Sequence, residues 1–328
     1  MSQRSAYGGQ AVIEGVMIRG KDRVATACRR KGGDITVRHD VADGLTQRYP
    51  WLRLAFLRGT PALFDSMRLG YATLMWSADV AMEGEVQEKP SFWQLFFTMA
   101  LSFAFAIGFF VLLPTFVINF FPGAHHSGTQ SANWFAQLIP TPQAIFPNIL
   151  EGLLRLLMLI GYIAVIGRSA EIRRIFSYHG AEHKVVNAYE GGATLTVEAA
   201  QPYSRIHPRC GTSFIFLVFV VGIFVHALIG WPDNLLLRMG SRLLLLPVVA
   251  GVAYELIRLS GRYRHSRFLQ ILISPGLLLQ RLTTAEPSDD QIEVALHSLR
   301  TVLEDEGVLT PPPAVVAELP TSSEIAAP

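Results

Sequence analysis

The sequence predicts a mainly α-helical, polytopic membrane protein that carries a small N-terminal antiparallel β-meander. Half of its 328 residues are hydrophobic and only 16% are charged, whereas an ordinary soluble domain carries about 25% charge. The apolar residues are also gathered into long blocks, and the first block, residues 92–121, contains no charged residue. Because a helix needs about 20 apolar residues to cross a bilayer, this block is long enough to span one.

The first 48 residues predict the β-meander. Residues 8–40 form alternating runs that are interrupted by the turn sequences GKD and KGGD, which is typical of three short strands. Glu14 stands in an apolar run, where a carboxylate is either buried with a partner or exposed on the outer face of the sheet. Residues 49–91 have apolar positions at helical spacing and predict amphipathic helices that are broken near Gly59.

Four membrane spans are expected in two pairs, one within residues 92–167 and the other within residues 213–259. Their predicted ranges are 92–121, 146–167, 213–231 and 236–259. Lys and Arg are frequent before the first span and between 168 and 212, but residues 122–144 contain none. Since cytoplasmic segments are enriched in Lys and Arg, this asymmetry predicts a multi-pass membrane protein with both termini and segment 168–212 in the cytoplasm.

The C-terminal part predicts two further elements. Residues 260–306 indicate an interfacial segment followed by an amphipathic helix, which begins near residue 289 and has Ile292, Leu296, Leu299 and Leu303 on one face. Residues 307–328 are rich in Pro, Ala and Ser and predict a disordered tail.

The polar motif loop, residues 168–212, contains the candidate metal ligands. His179, Glu182 and His183 follow the order H-x-x-E-H, which is the spacing of the inverted zinc hydrolases. If the segment is helical, His179 and His183 share a face and their imidazoles can bind one ion. Glu182 would then lie beside that face, where a carboxylate can accept a proton from water activated by the metal.

A second run, HPRCGT at residues 207–212, supplies further candidate ligands in His207 and Cys210. Cys28 and Cys210 are the only cysteines of the chain, and both are predicted to face a reducing compartment, so Cys210 is expected to be a free thiol. Imidazole and thiolate suit both zinc and iron, and zinc is the expected divalent ion. The alternative is a loop in which these side chains bond to backbone groups and Arg209 pairs with a carboxylate.

Four runs of the sequence together resemble one protein family. They are GGQAVIEGVMIRG at 8–20, FSYHGAEHKVVNAYE at 176–190, HPRCGTSF at 207–214 and SPGLLLQRLTTAEP at 274–287. In this order they are similar to the YqhQ-like family of bacterial membrane proteins, a domain of unknown function that is often labelled a predicted metal-dependent enzyme. The resemblance covers residues 8 to about 300. It implies functional positions at Glu14, His179, Glu182, His183, Lys184, Glu190, His207, Arg209 and Cys210.

Three functions are open at this point. The leading hypothesis is a zinc-type hydrolase of the bacterial inner membrane with its site on the cytoplasmic face, where Glu182 is the general base and Lys184 or Arg209 stabilises developing negative charge. The alternative is a non-enzymatic scaffold or assembly factor that docks a protein partner on the same face. The third is a small transporter, whose intramembrane polar path would use Glu151, Arg155, His226 and Glu255. The lipid bilayer is an expected partner and nucleic acid is not.

Overall fold

A computed structural model of the chain describes residues 7–56, 58–83, 91–120, 138–139, 142–262 and 267–310. Residues 311–328 of the predicted tail lie outside the described residues, as does most of the predicted outer segment at 122–144.

Helices make up most of the described structure, and one antiparallel sheet lies at the N-terminus. The strands are β1 (Gly8–Val12), β2 (Gly15–Arg19), β3 (Arg23–Arg29) and β4 (Ile35–Val41). The helices are α1 (Leu45–Arg48), α2 (Gly59–Ala81), α3 (Phe92–Ile107), α4 (Leu113–Ile118), α5 (Pro142–Ile166), α6 (Ala170–Glu190), α7 (Val197–Ala200), α8 (Gly211–Ala227), α9 (Leu235–Leu244), α10 (Leu246–Arg262), α11 (Arg267–Thr283) and α12 (Asp289–Asp305). A 3₁₀ turn covers Pro50–Arg53, and a π-helical turn at Gly108–Leu112 joins α3 to α4.

The sheet has four strands in sequential order, so the prediction of three strands was wrong. The run that was read as the first strand is a hairpin, because Val12 pairs with Gly15 across a turn at Ile13 and Glu14. Glu14 has a φ of 52°, a left-handed conformation that is uncommon for a residue other than Gly, Asn or Asp. The turn therefore lacks the residues by which a sequence usually signals a hairpin.

Helices cover both faces of the sheet. Alternate residues of β2 point to opposite sides, so Val16 and Ile18 pack with α6 and α12, while Met17 lies in a second cluster with Val80 of α2. Both faces of the sheet carry buried apolar side chains, so each face needs an element that packs on it. The sheet, α2, α6 and α12 thus form one packed unit, called the head below.

Helix α12 confirms the predicted amphipathic packing helix: Ile292, Leu299 and Leu303 are fully buried and Leu296 is nearly so. The predicted motif loop, by contrast, is not a loop over most of its length. Its first half is the 21-residue helix α6, which buries Tyr178 and Val185 in the core of the head.

Three stretches of helix are long and apolar enough to cross a membrane: Trp93–Ile118, Ala144–Ile166 and Leu235–Leu259. They correspond to the predicted first, second and fourth spans. The predicted third span is represented by α8, which has only 17 residues and is about 26 Å long, shorter than the roughly 30 Å hydrocarbon core. Four spans therefore remain a prediction. Helix α8 packs against α5, α10 and α11 at the centre of this bundle.

The bundle contains a buried ionic cluster in which three of the four candidate path residues meet. Glu151 is 1% exposed and accepts hydrogen bonds from Arg155 and from Arg242, whose Nε lies 3.2 Å from the carboxylate. Arg155 Nη1 is 3.2 Å from Nδ1 of His226. Since these residues come from α5, α8 and α9, the hydrogen bonds of the cluster connect three helices.

Glu255, the fourth candidate, does not join this cluster. Its carboxylate binds the guanidinium of Arg58 at 2.5 Å, just before α2 begins. Gly59 also packs closely on Tyr254 of α10. These contacts attach the head to the bundle, so Glu255 has a connecting role in the structure.

Candidate metal centre

The candidate metal centre is built on α6. His179 and His183 lie one turn apart on this helix, with ring centroids separated by 4.4 Å. Gly180, between them, does not interrupt the helix. A Cβ at this position would lie 2.2 Å from the carbonyl oxygen of Ala285, so the glycine allows the segment after α11 to approach the backbone of α6.

Two backbone carbonyls orient the two imidazoles. Nδ1 of His179 lies 2.8 Å from the carbonyl oxygen of Thr283, and Nδ1 of His183 lies 2.7 Å from that of Arg205. A carbonyl oxygen only accepts hydrogen bonds, so each Nδ1 carries a proton, and in the neutral imidazole this leaves the lone pair on Nε2. Histidines that bind metals are usually held in this way, with one ring nitrogen on a carbonyl and the other on the ion.

Cys210 brings a sulfur to the same point. It is the N-cap residue of α8, and its Sγ lies 3.1 Å from Nε2 of His179 and 3.4 Å from the backbone nitrogen of Thr212. The positive end of the helix dipole favours negative charge there. One ligand atom from each of His179, His183 and Cys210 fits within 4.8 Å of the others. Ligands of a tetrahedral zinc ion are separated by about 3.3–3.8 Å, so small side-chain movements suffice for binding.

His207 lies beside these three residues but has a different orientation. It is 3% exposed, and its ring centroid is 5.8 Å from that of His183. Its Nδ1 accepts a hydrogen bond of 3.4 Å from the backbone nitrogen of Arg209, which leaves the proton on Nε2, 3.7 Å from the carboxylate of Glu190. The geometry therefore favours Cys210 as the third ligand, and ligation by His207 stays a prediction.

Glu182 lies beside the ligand face, as the helical spacing predicts. Its side chain is 4% exposed. One carboxylate oxygen accepts a hydrogen bond of 3.0 Å from the backbone nitrogen of Gly9, and the other lies 3.5 Å from Nε2 of His183. The second oxygen therefore lies on the side of His183 where an ion would bind.

Lys184 and Arg209, the predicted anion-stabilising residues, contact groups of the protein itself. The Lys184 ammonium donates to the backbone and side-chain oxygens of Gln201 at 2.5 and 2.9 Å and pairs with Glu286. Arg209 pairs with Glu190. Both cations lie near the candidate ligands, but each has an anionic partner.

Glu14 belongs to the head and not to the ligand cluster. Its carboxylate pairs with Arg174 of α6 and accepts a hydrogen bond of 3.1 Å from the Tyr178 hydroxyl. Burial acts to raise the pKa of Glu14, but the hydrogen bonds and the charge of Arg174 outweigh it and the pKa lies below its usual value. Burial, followed by the Glu14 charge, raises the pKa of Tyr178, so its hydroxyl remains a donor. The hairpin turn is thereby fixed beside His179.

Sequence reasoning missed the residues that support the ligands. Gln280 is fully buried, and its side chain bonds both the backbone nitrogen and the carbonyl oxygen of His207, at 2.9 and 2.8 Å. Together with Thr283 it belongs to the run at 274–287, which the sequence assigned to an interfacial segment. The family resemblance did mark the run at 274–287 as one of its four motifs. No rule of residue spacing, however, predicts that this run contacts His179.

Comparison with known proteins gives a family. The family model described as "Protein of unknown function (DUF1385)" matches residues 54–305. The chain is 37% identical over 316 residues to the "Uncharacterized protein YqhQ" of Bacillus subtilis (strain 168), an alignment that covers 91% of this chain and 92% of that protein. No solved structure matches the chain.

Proposed function

Because the chain belongs to the DUF1385 family of proteins of unknown function, we propose a function from its own site: a metal-dependent hydrolase of the bacterial inner membrane. In this proposal His179, His183 and Cys210 hold one divalent ion, which is zinc by the chemistry of the ligands. The bond that is cleaved is a peptide, amide or ester bond near the cytoplasmic membrane surface.

One observation supports the proposal above the others. The carbonyl contacts at Nδ1 leave Nε2 of each neutral imidazole free to bind an ion, Nε2 of His179 lies 3.1 Å from the sulfur of Cys210, and one ligand atom from each of the three residues lies within 4.8 Å of the others. Nε2 of His183 is buried and has no hydrogen-bond partner among the described residues. A buried lone pair without a donor costs free energy that a bound cation recovers.

Glu182 is the residue best placed for proton transfer. A bound zinc ion polarises a carbonyl group and makes water more acidic. The Gly9 amide holds one oxygen of Glu182, which leaves the oxygen near His183 to accept the proton. Lys184 and Arg209 are proposed to supply positive potential around this carboxylate.

The proposed position in the membrane is supported by the ends of the helices. Cys210 caps the end of α8 that lies nearest the head, so the site is at the junction of the head with the apolar bundle. The head is formed by segments that are rich in Lys and Arg. By the positive-inside rule this end of the bundle is proposed to face the cytoplasm.

The first test is the metal content of the detergent-purified full chain, measured by elemental mass spectrometry. We expect about one zinc per chain in the parent, loss of zinc in His183→Ala, and no loss in His297→Ala, which removes an exposed histidine of α12. An absence of bound zinc in the parent, also after reconstitution with zinc, would exclude the metal site and with it the hydrolase.

A second candidate function is a non-enzymatic scaffold whose head docks a protein partner. It is favoured by burial, because Glu182, His183, Lys184 and His207 are all less than 5% exposed, whereas a catalytic zinc site keeps an open position for substrate. The variant Glu182→Gln separates the two. A hydrolase keeps its zinc and its abundance but loses function in the cell, whereas a scaffold with a structural ion loses function only in proportion to its abundance.

A further inference from the structure

A cavity of about 280 Å³ opens where α5, α6 and α11 meet at the head end of the bundle. Four arginines line it: Arg168, Arg173, Arg205 and Arg281. They come from three separate stretches of the chain, so only the tertiary structure brings them together.

The positive charge in this cavity is largely uncompensated. Arg205 donates to the carbonyl oxygen of Thr284 at 2.7 Å and lies 3.9 Å from Glu286, which already pairs with Lys184. Among the residues that the structure describes, Arg168, Arg173 and Arg281 form no ion pair, and all three are exposed. Like charges gathered at one point repel each other unless an anion joins them, and several guanidinium groups around one cavity are the usual surroundings of a phosphate.

Apart from Thr284, the remainder of the lining has no polar side chain and includes Ile163, Phe176 and Leu282. Outside the cavity α5 and α11 expose further apolar side chains, with Val165 62% and Leu278 58% exposed. Since binding sites for small molecules commonly measure about 300–1,000 Å³, the cavity has room for a head group but not for long acyl chains. Such chains would lie along the apolar surface of the bundle.

We propose that this cavity binds the phosphate group of an anionic amphiphile. The cavity also lies beside the candidate metal centre and shares residues with it. Arg205 lines the cavity with its side chain and holds His183 with its carbonyl oxygen, and Thr284 follows the residue that holds His179. If the proposed hydrolase activity holds, the cavity identifies its substrate class as an ester or amide of a phosphate-bearing lipid. The binding site itself does not depend on that activity.

The test is a titration of the full chain in detergent micelles with dioleoyl phosphatidylglycerol, followed by native mass spectrometry that counts bound lipid. Dioleoyl phosphatidylcholine, which has no net charge, is titrated in parallel. The test variant is the double substitution Arg168→Gln, Arg281→Gln. The matched control is Arg23→Gln, Arg258→Gln, which removes the same charge from two exposed arginines away from the cavity, one of them on α10.

We expect the test variant to bind phosphatidylglycerol on the order of tenfold more weakly than the parent, with the control unchanged and phosphatidylcholine weaker throughout. Zinc content is measured on the same samples and should be equal in all of them, which separates this result from the fate of the hydrolase. Displacement of the lipid by inorganic phosphate would identify free phosphate compounds as the source of the group, and lack of displacement would identify the membrane lipid. Equal losses in both variants, or equal binding of the two lipids, would overturn the proposal.

Discussion

Gly180→Ala is the substitution that tests the geometry of the proposed metal centre most directly. The new Cβ would lie 2.2 Å from the backbone oxygen of Ala285 and 3.4 Å from Cδ of Pro287. Ordinary van der Waals contacts of a Cβ begin near 3.4 Å, so α6 and the segment after α11 must separate by about 1 Å. Neither partner at the 2.2 Å contact is a flexible side chain, and the movement therefore reaches the backbone.

Two opposing effects set the change in stability. Overpacking of this kind costs about 1–3 kcal/mol, while replacing glycine by alanine inside a helix favours folding by about 1 kcal/mol. We therefore expect a net loss of about 0–2 kcal/mol in the free energy of unfolding. The effect on the metal is larger, because the same movement pulls the carbonyl of Thr283 away from Nδ1 of His179, now at 2.8 Å. Loss of such support typically lowers metal affinity about 10–100-fold.

The assay compares zinc affinity, measured by competition with a chromophoric chelator, and thermal unfolding in detergent. Gly161→Ala is the matched control, since it makes the same change in the helix α5 at a site with nothing within 4 Å of the new Cβ. We expect this control to keep its zinc affinity and to be as stable as the parent or more so. If Gly180→Ala binds zinc as tightly as the parent, the close packing of α6 on residues 283–287 does not position the ligand and the reasoning fails.

Three further predictions concern other parts of the molecule. Glu151→Gln leaves its two buried arginine partners without their carboxylate and should lower the free energy of unfolding by about 3 kcal/mol or more; a change below about 1 kcal/mol in denaturant titrations would contradict this. Burial acts to raise the pKa of Glu14 and of Glu306, but the hydrogen bonds that each carboxylate accepts lower it by more. The pKa of each therefore lies below its usual value of 4.5. Their contribution to stability is complete above that pH and is lost as the pH falls through the lowered pKa, so the melting temperature should drop on acidification, and less steeply in Glu14→Gln. Burial raises the pKa of Cys28 to about 12, so iodoacetamide at neutral pH should modify Cys28 only after the protein unfolds. Cys210 should react in the folded protein once zinc is removed. Labelling of Cys28 before unfolding would show that β3 is not buried as described.

The sequence identified every residue of the proposed ligand set. His179 and His183 are four residues apart, and on a helix this spacing brings two side chains to one face whatever surrounds them. The apolar blocks at 92–121, 146–167 and 236–259 were equally readable, because the length of a span is fixed by the bilayer and not by the fold. The face of α12 could be predicted for the same reason, since its periodicity is local.

The sequence-based predictions were wrong where the local residue pattern was ambiguous or carried no information on the structure. The hairpin at Ile13 and Glu14 went unrecognised because a glutamate occupies the left-handed position where the sequence rules expect Gly or Asn. The extent of α6 was underestimated because segment 168–212 is polar, although nine of that helix's residues are buried against the sheet and its neighbours. Tertiary packing stabilises this helix, and packing has no signature in a single sequence window.

What the sequence determined by itself is the chemistry that the protein has available: imidazoles at helical spacing, a thiol, a carboxylate beside them, and apolar helices to carry them. Tertiary structure alone decided which of these groups meet. It placed Cys210 and not His207 against Nε2 of His179, and it set the carbonyls of Thr283 and Arg205 behind the two rings. It also gathered four arginines from distant stretches around one cavity. The reason is physical: spacing along a helix is local geometry, whereas contacts across 20 to 100 residues depend on how whole elements pack, and the energy of that packing is spread over the entire core.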